Sequence, residues 1–175
     1  MHIETPRLIL RDYRIEDWNR VHLYASIPEF SVFEDWGPNS DEDTKKFVAD
    51  MVSQSADNLR WKYDLAVCLK SDGLLIGGCG IRRESPESVI ANLGWAINPD
   101  FQKQGYASEA ARALIEFGFQ NMGLKIIYAT CDSRNVASIK VMEKIGLKSA
   151  GIIKAHKVQK GVMRDTLRFE ITSLK

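Results

Sequence analysis

The hydrophobic pattern begins with Leu-Ile-Leu inside residues 7 to 14, Arg-Leu-Ile-Leu-Arg-Asp-Tyr-Arg, which read as a first strand. Asp17 or the preceding turn starts a short helix carrying Trp18, Val21 and Tyr24. Residues 27 to 40 set Phe30, Phe33 and Trp36 among Pro28, Gly37 and Pro38, an aromatic-rich loop. Ser40-Asp41-Glu42-Asp43 opens a second helix, with Ser40 as N-cap and Asp43 near the positive end of the helix dipole. Its apolar stripe is Phe47, Val48, Met51 and Val52. After Trp61 the pattern turns to strands. Residues 63 to 70 and 74 to 81 flank Ser71-Asp72-Gly73, a hairpin signal, and residues 89 to 97 form a further strand ended by Asn98-Pro99. Gly94 inside that strand marks a bulge or a close backbone approach. A helix over 107 to 122 shows Ala110, Leu114 and Phe117 on one face and is capped by Gly123. A strand at 125 to 132, a helix at 135 to 145 stopped by Gly146, and strands at 147 to 158 and 162 to 171 complete the chain. The order predicts a mixed α/β fold of about seven strands and four helices with an antiparallel N-terminal meander.

Length narrows this to one domain over 1–175, since about 150 residues make a typical domain. With 24 Lys plus Arg against 23 Asp plus Glu, the net charge of +1 argues against a broad footprint for duplex nucleic acid. No apolar run approaches the roughly 20 residues that span a bilayer, so no membrane partner is expected, and the first residues hold no apolar signal core. Cys68, Cys79 and Cys131 each lie in an apolar stretch and read as reduced, buried thiols of a cytoplasmic protein. His2, His22 and His156 are scattered, without metal-ligand spacing, and no metal is expected.

The most informative segment runs from Trp95 to Ala110. A strand ends, a short loop turns, and a helix begins near Gly105-Tyr106-Ala107. Small residues there let an anion approach the N–H groups that a first helical turn leaves unpaired, while Gln102, Lys103 and Gln104 add donors and one charge. The same residues also fit an ordinary strand-to-helix turn. A Rossmann site lacks its Gly-x-Gly-x-x-Gly here.

The surrounding motifs resemble the GNAT superfamily of acyl-CoA-dependent N-acetyltransferases, and more closely its RimJ/RimL-like branch. Thr5-Pro6-Arg7-Leu8-Ile9-Leu10-Arg11 is similar to that branch's opening strand, and Leu74-Leu75-Ile76-Gly77-Gly78 to a strand signature. Leu93-Gly94-Trp95 then precedes the Gln102 to Ala107 loop, and Asn135-Val136-Ala137-Ser138 and Lys144-Ile145-Gly146-Leu147 follow in order. The resemblance implies a sheet splayed between the strands at 89–97 and 125–132, with the pantetheine arm of acetyl-CoA in the wedge. It implies that the backbone near Trp95, Ala96 and Ile97 bonds the pantetheine amides and faces the acetyl carbonyl. It assigns the pyrophosphate to the N–H groups of Gln102, Lys103, Gln104, Gly105, Tyr106, Ala107 and Ser108, a pantetheine contact to Asn135, and a thiolate donor to Ser138.

Two positions depart from the family. Asn92 stands where many relatives carry a carboxylate, and Met142 where many carry a Tyr acid, so neither usual proton carrier is present. Glu34, Asp35, Glu84, Asp132 or a water chain are the alternatives for the base. Phe33 and Trp36, with Phe30 and Trp61, either line the acceptor site or cap the core. Cys131 reads as a core residue ahead of a nucleophile, and Arg82-Arg83-Glu84 as a solvated strand end. The expected reaction is direct transfer of acetyl from acetyl-CoA to a primary amine in a ternary complex. The acceptor is a protein N-terminus, as RimJ/RimL resemblance suggests, or a small-molecule amine. The competing class is a non-catalytic acyl-CoA-binding module. A homodimer is the default expectation for a chain of this kind.

Overall fold

Ser40 and Asp43 show how sequence becomes structure here. The Ser40 hydroxyl accepts from the Asp43 N–H, and the Asp43 carboxylate accepts from the Ser40 N–H, closing a reciprocal cap. That cap starts helix α2 (Asp41–Ser55), which follows β1 (His2–Glu4), β2 (Leu8–Arg11) and α1 (Trp18–Ala25). Then come β3 (Lys62–Leu69), β4 (Leu75–Arg83), β5 (Ile90–Ile97), α3 (Tyr106–Gln120), β6 (Ile126–Asp132), α4 (Val136–Lys144), β7 (Lys148–Gln159) and β8 (Val162–Thr172). The structure, a computed structural model, describes residues 1–57 and 59–173. None of its described helices is long and apolar enough to cross a membrane.

The strands form one sheet in the order β1-β2-β3-β4-β5-β6-β8-β7, antiparallel at every step except β5–β6. One strand more than the pattern predicts is present. His2–Glu4 pairs back on β2, and its three residues are too few to show an alternation. Alternate residues face opposite sides of the sheet. Leu65, Val67, Cys79, Ile81 and Leu93 pack with Leu114 of α3 and Met142 of α4. Ala66, Cys68 and Leu75 pack on the other side with Val21, Tyr24 and Val48 of α1 and α2. Gly118 lets α3 settle closely on its face, since a Cβ there would lie 2.7 Å from Ile81 Cδ1 and 2.9 Å from Ile127 Cδ1.

The splay expected between 89–97 and 125–132 is present. Parallel pairing is confined to Ile90↔Ile126, Ala91↔Ile127 and Asn92↔Tyr128. Beyond these, β5 continues to Ile97 and β6 to Asp132 without each other. β6 instead stays with β8 as far as Asp132↔Thr166, which carries it away from β5. The result is a wedge in mid-sheet with one edge of β5 unpaired.

The β7–β8 hairpin turns at Lys160 and Gly161, both with positive φ (49° and 75°), the backbone of a tight two-residue turn. Its tip docks on the aromatic loop of residues 27 to 40. Lys160 Nζ donates to the Ser31 carbonyl at 2.6 Å and hydroxyl at 2.8 Å, and Lys157 Nζ donates to both Asp35 carboxylate oxygens at 2.8 Å.

Candidate active site

The wedge opens into a cavity of about 800 Å³ that extends under the aromatic loop and along α2. Its floor is the sheet face on the α1 and α2 side. Register pairs Asp64 with Gly80, Gly80 with Gly94, Gly78 with Ala96 and Arg82 with Asn92, so a trough of small residues runs across the strands. The Asp64–Arg82 ion pair lies across this trough. Arg82 Nε donates to Asp64 Oδ2 at 2.9 Å and Nη2 to Oδ1. A Cβ on Gly80 would overlap Asp64 Oδ1 and crowd Arg82 Nη2, so glycine makes room for the pair. This corrects the reading of Arg82-Arg83-Glu84 as a solvated strand end. Strand alternation aims Arg82 at the cavity, and Arg83 donates to the Ser88 and Met122 carbonyls. Asp64 lies 18 residues before Arg82, so only strand register reveals the pair.

Trp95 and Ala96 line the cavity beside the unpaired stretch of β5, together with Asn135 and Ser138 of the α4 start and Phe33 and Trp36 of the loop. Ile97 does not. Its side chain is buried in the α3 core, and its carbonyl accepts from Gln102 Nε2 at 2.8 Å. The aromatic loop divides its labour. Phe30 packs on the α1 core, 5.2 Å from the Tyr24 ring centroid, while Trp61 lies outside the cavity lining. Asn135 caps α4, its Oδ1 accepting from the Ser138 N–H at 3.1 Å. The cap leaves the Asn135 amide nitrogen for other contacts.

Residues 102 to 108 lie outside this cavity and shape the start of α3. Asn98 Oδ1 accepts from the Asp100 N–H, and the Gln102 N–H bonds the Pro99 carbonyl at 3.2 Å. Gln102 thus braces the loop with backbone and side chain alike. Lys103 and Gly105 hold positive φ (61° and 85°) and turn the chain into the helix. Tyr106, Ala107 and Ser108 form the first helical turn, whose N–H groups have no partner within the helix. The Ser108 side chain is buried. Two cations frame the turn. Arg7 Nη2 and Lys144 Nζ lie 3.5 and 3.6 Å from where a Cβ on Gly105 would stand. Arg7 is fixed by Glu109 (Nε to Oε2, 2.7 Å), by the Gln104 carbonyl and by the Tyr106 ring. Burial opposes ionisation of Glu109, but the Thr5 hydroxyl and Arg7 outweigh it and hold the carboxyl below its usual range. Sequence reasoning missed Arg7 and Lys144 as a pair because nothing local links residues so far apart. An oxyanion of phosphate type fits this place by charge and by free donors.

The titratable groups differ sharply. Glu34 lines the cavity with its carboxyl pushed up, by burial first and then by the neighbouring Asp35. Asp35 is held by Lys157. Asp132 is buried, yet Arg134 outweighs that burial through side-chain and backbone hydrogen bonds and keeps the carboxyl low. Arg164 adds a second cation at 3.3 Å. Glu84 is outside the lining. Burial, then the charge of Asp132, pushes the Cys131 thiol up to about 11, which leaves it protonated and weakly nucleophilic near neutral pH although it lines the cavity. Cys131 is half-buried, whereas Cys68 and Cys79 are buried as expected. Met142 is fully buried in the core and lies outside the cavity lining.

The sequence model of the Acetyltransferase (GNAT) domain matches residues 7–148, a span that contains the wedge, the α3 start and α4. The chain belongs to the GNAT acetyltransferase family. This GNAT chain is 36% identical over 154 residues to the uncharacterized N-acetyltransferase YnaD of Bacillus subtilis, covering 88% of this chain and 86% of that one. Its fold superposes on an acetyltransferase (GNAT family) from Bacillus anthracis with a TM-score of 0.88 at 31% identity, covering 98% of each chain. A RimL ribosomal L7/L12 α-N-protein acetyltransferase in complex with coenzyme A shares the fold, with a TM-score of 0.84 at 19% identity and 98% coverage of both chains. As a GNAT enzyme the protein is an acetyl-CoA-dependent N-acetyltransferase.

Proposed function

We propose that the enzyme transfers acetyl from acetyl-CoA directly to a primary amine held in the same cavity, with the N-terminus of a protein as acceptor. The observation that carries this is the single cavity joining the unpaired edge of β5 to the loop bearing Glu34, Phe33 and Trp36. A thioester lying along β5 and an amine under the loop then share one space, and juxtaposition itself supplies much of the rate. The β5 backbone near Trp95 and Ala96 pairs with the pantetheine amides as a neighbouring strand would. The α3 start, Arg7 and Lys144 hold the pyrophosphate. Asn135 anchors the arm through its free amide nitrogen, and the Ser138 hydroxyl donates to sulfur as negative charge develops there.

Glu34 takes the proton from the incoming ammonium. Its raised carboxyl brings its affinity for protons closer to what a base working near neutral pH needs. Asp35 and Asp132 are less suited, being held in ion pairs with Lys157 and Arg134. The RimL likeness supports a protein N-terminus as acceptor. A small-molecule amine is the second reading. It draws on the carboxylate of Asp43, which lines the same cavity, has no ion-pair partner among the described residues and favours a cation. Release of CoA measured against a panel of amines and N-terminal peptides tests the proposal. Turnover with peptides bearing a free N-terminus is expected. Tight acetyl-CoA binding without turnover of any amine would mark a binding module instead.

A further inference from the structure

The ring of Tyr13 belongs to the core on the α1 and α2 side of the sheet. It packs with Val21, Tyr24 and Val48 and meets the Phe47 ring edge-on, with centroids 5.7 Å apart. The residue is 6% exposed and lines the cavity. A buried tyrosine hydroxyl usually finds a hydrogen-bond partner. This one has none among the described residues, and it is not one of the unpartnered polar atoms sealed from solvent, so the oxygen keeps contact with the cavity. β4 is shaped around that oxygen. A Cβ on Gly78 would overlap Tyr13 Oη, while every other neighbour of that point lies at an ordinary distance. Gly78 has no positive φ, so its backbone does not call for glycine, and the missing side chain makes room for the hydroxyl itself. Gly78 pairs with Ala96, so the hydroxyl stands over the strand next to β5, about 4.8 Å away. Ala96 belongs to the stretch of β5 that leaves the wedge edge open. Along the same face of β4 the next position is Gly80, beneath Asp64, whose carboxylate is already engaged by Arg82.

We propose that the Tyr13 hydroxyl holds the reacting nitrogen of the acceptor, its oxygen accepting a hydrogen bond from an N–H of that nitrogen. This rests on the acetyl-transfer reading and adds to it the group that positions the nucleophile. The hydroxyl lies on the side of the sheet covered by α1 and α2, the side of the cavity floor from which an amine under the aromatic loop meets the thioester along β5. Its protonation state suits the task. Burial, then the neighbouring Tyr24 and Asp64, pushes the phenol far above its ordinary range, so it stays neutral at any working pH. A neutral hydroxyl oxygen accepts from an ammonium and from a free amine alike, and takes no proton from either. The nitrogen therefore keeps its place while its proton leaves for Glu34, and an amine held through one N–H has its lone pair free to attack. No bond forms or breaks at Tyr13 itself. The ring, fixed by the core, keeps the oxygen oriented before the acceptor arrives.

The test is steady-state kinetics of wild type and Tyr13→Phe, as full chains, with acetyl-CoA and three unlike amines: a short peptide with a free N-terminus, an amino-acid amide and spermidine. Phenylalanine keeps the ring and its packing and removes only the oxygen. For every amine that the wild type acetylates, kcat/KM should fall about tenfold or more, which corresponds to about 1.4 kcal/mol. The factor should be similar for each, because all present the same reacting nitrogen. Calorimetric affinity for acetyl-CoA should be unchanged, and the melting temperature should hold or rise, since the oxygen bonds neither cofactor nor protein. Turnover of any amine by the wild type upholds the transfer reading, and four results then overturn this inference alone. An unchanged kcat/KM in Tyr13→Phe leaves the hydroxyl idle. Unequal losses among the accepted amines place it against some other part of the acceptor. Weakened acetyl-CoA binding places it on the cofactor, and a lower melting temperature gives it a structural role. No turnover of any amine by the wild type overturns the transfer reading and this inference with it.

Discussion

Glu34 is where burial and chemistry meet most directly. Its neutral form is favoured by burial and by Asp35, so its folded affinity for protons exceeds that of the unfolded chain. The stabilising effect of the neutral form is complete below the unfolded value and is lost as pH rises through the folded one. Glu34→Gln is therefore expected to be neutral or stabilising at pH 7, while activity falls about 10²–10⁴-fold. The acidic limb of the wild-type kcat/KM profile should lie above the ordinary glutamate range near 4.5 and be absent in Glu34→Gln. Asn92→Ala should keep that limb. A limb that survives in Glu34→Gln places the base elsewhere. At the start of α4, Asn135 caps the helix, and the proposed anchoring of the pantetheine arm would be a second role for the same side chain. Asn135→Ala should cost about 1 kcal/mol of stability through the lost cap, and should also weaken acetyl-CoA binding. Ser138→Ala should lower kcat more than affinity. Thermal melting run beside kinetics separates these effects, and an Asn135→Ala protein with lower stability and an intact KM for acetyl-CoA would leave only the cap.

At the scale of elements, the start of α3 gathers the most. Gly105 holds φ of 85°, a conformation that costs a residue with a Cβ about 1–2 kcal/mol. Gly105→Val adds bulk between Arg7 and Lys144 as well. A folded Gly105→Val protein should bind CoA about tenfold or more weakly by calorimetry, the loss expected when an anion is kept from helix N–H groups and two cations. Unchanged affinity would remove this turn from the cofactor site. Much of this element was legible in the sequence. The Gly105-Tyr106-Ala107 start, the helix, and the flanking strands follow from local patterning, and local patterning is short-ranged chemistry that a chain carries on its surface. What stayed hidden was the company each residue keeps. Arg7 reaches the helix start through Glu109, and Arg82 reaches the cavity because Asp64 stands across the strands. Strand register and helix packing create both, and neither leaves a local trace. The aromatic loop shows the same boundary, since Phe30, Phe33 and Trp36 look alike in sequence while the fold sends one to the core and two to the cavity.

For the molecule as a whole, the wedge depends on β6 being held by β8. Asp132 anchors that hold at the end of β6, bonded to Arg134 and facing the buried Arg164 of β8. Its carboxyl is kept low in the folded state despite burial, because Arg134 favours the charged form. The resulting stability is present above the unfolded value near 3.8 and is lost as pH falls through the folded one. Asp132→Asn strands Arg164 and should lower stability by about 3 kcal/mol at pH 7. Urea unfolding followed from pH 7 to pH 3 should show the difference from wild type shrinking with acidification. A constant gap would mean that the aspartate acts by packing and not by charge.

An unpaired strand edge usually lies at the rim of a sheet, where other polypeptides can add to it and aggregate. Here the open edge of β5 lies at the heart of the molecule, bounded by β6 on one side and roofed by the aromatic loop and α4. An edge enclosed in this way is closed to a strand that arrives attached to a sheet of its own, and on the proposed function it is left for a lone extended chain with amides along it. The backbone groups of β5 beyond Asn92 should accordingly exchange their hydrogens with solvent like those of a rim strand, although they lie mid-sheet, and should slow when such a chain fills the gap.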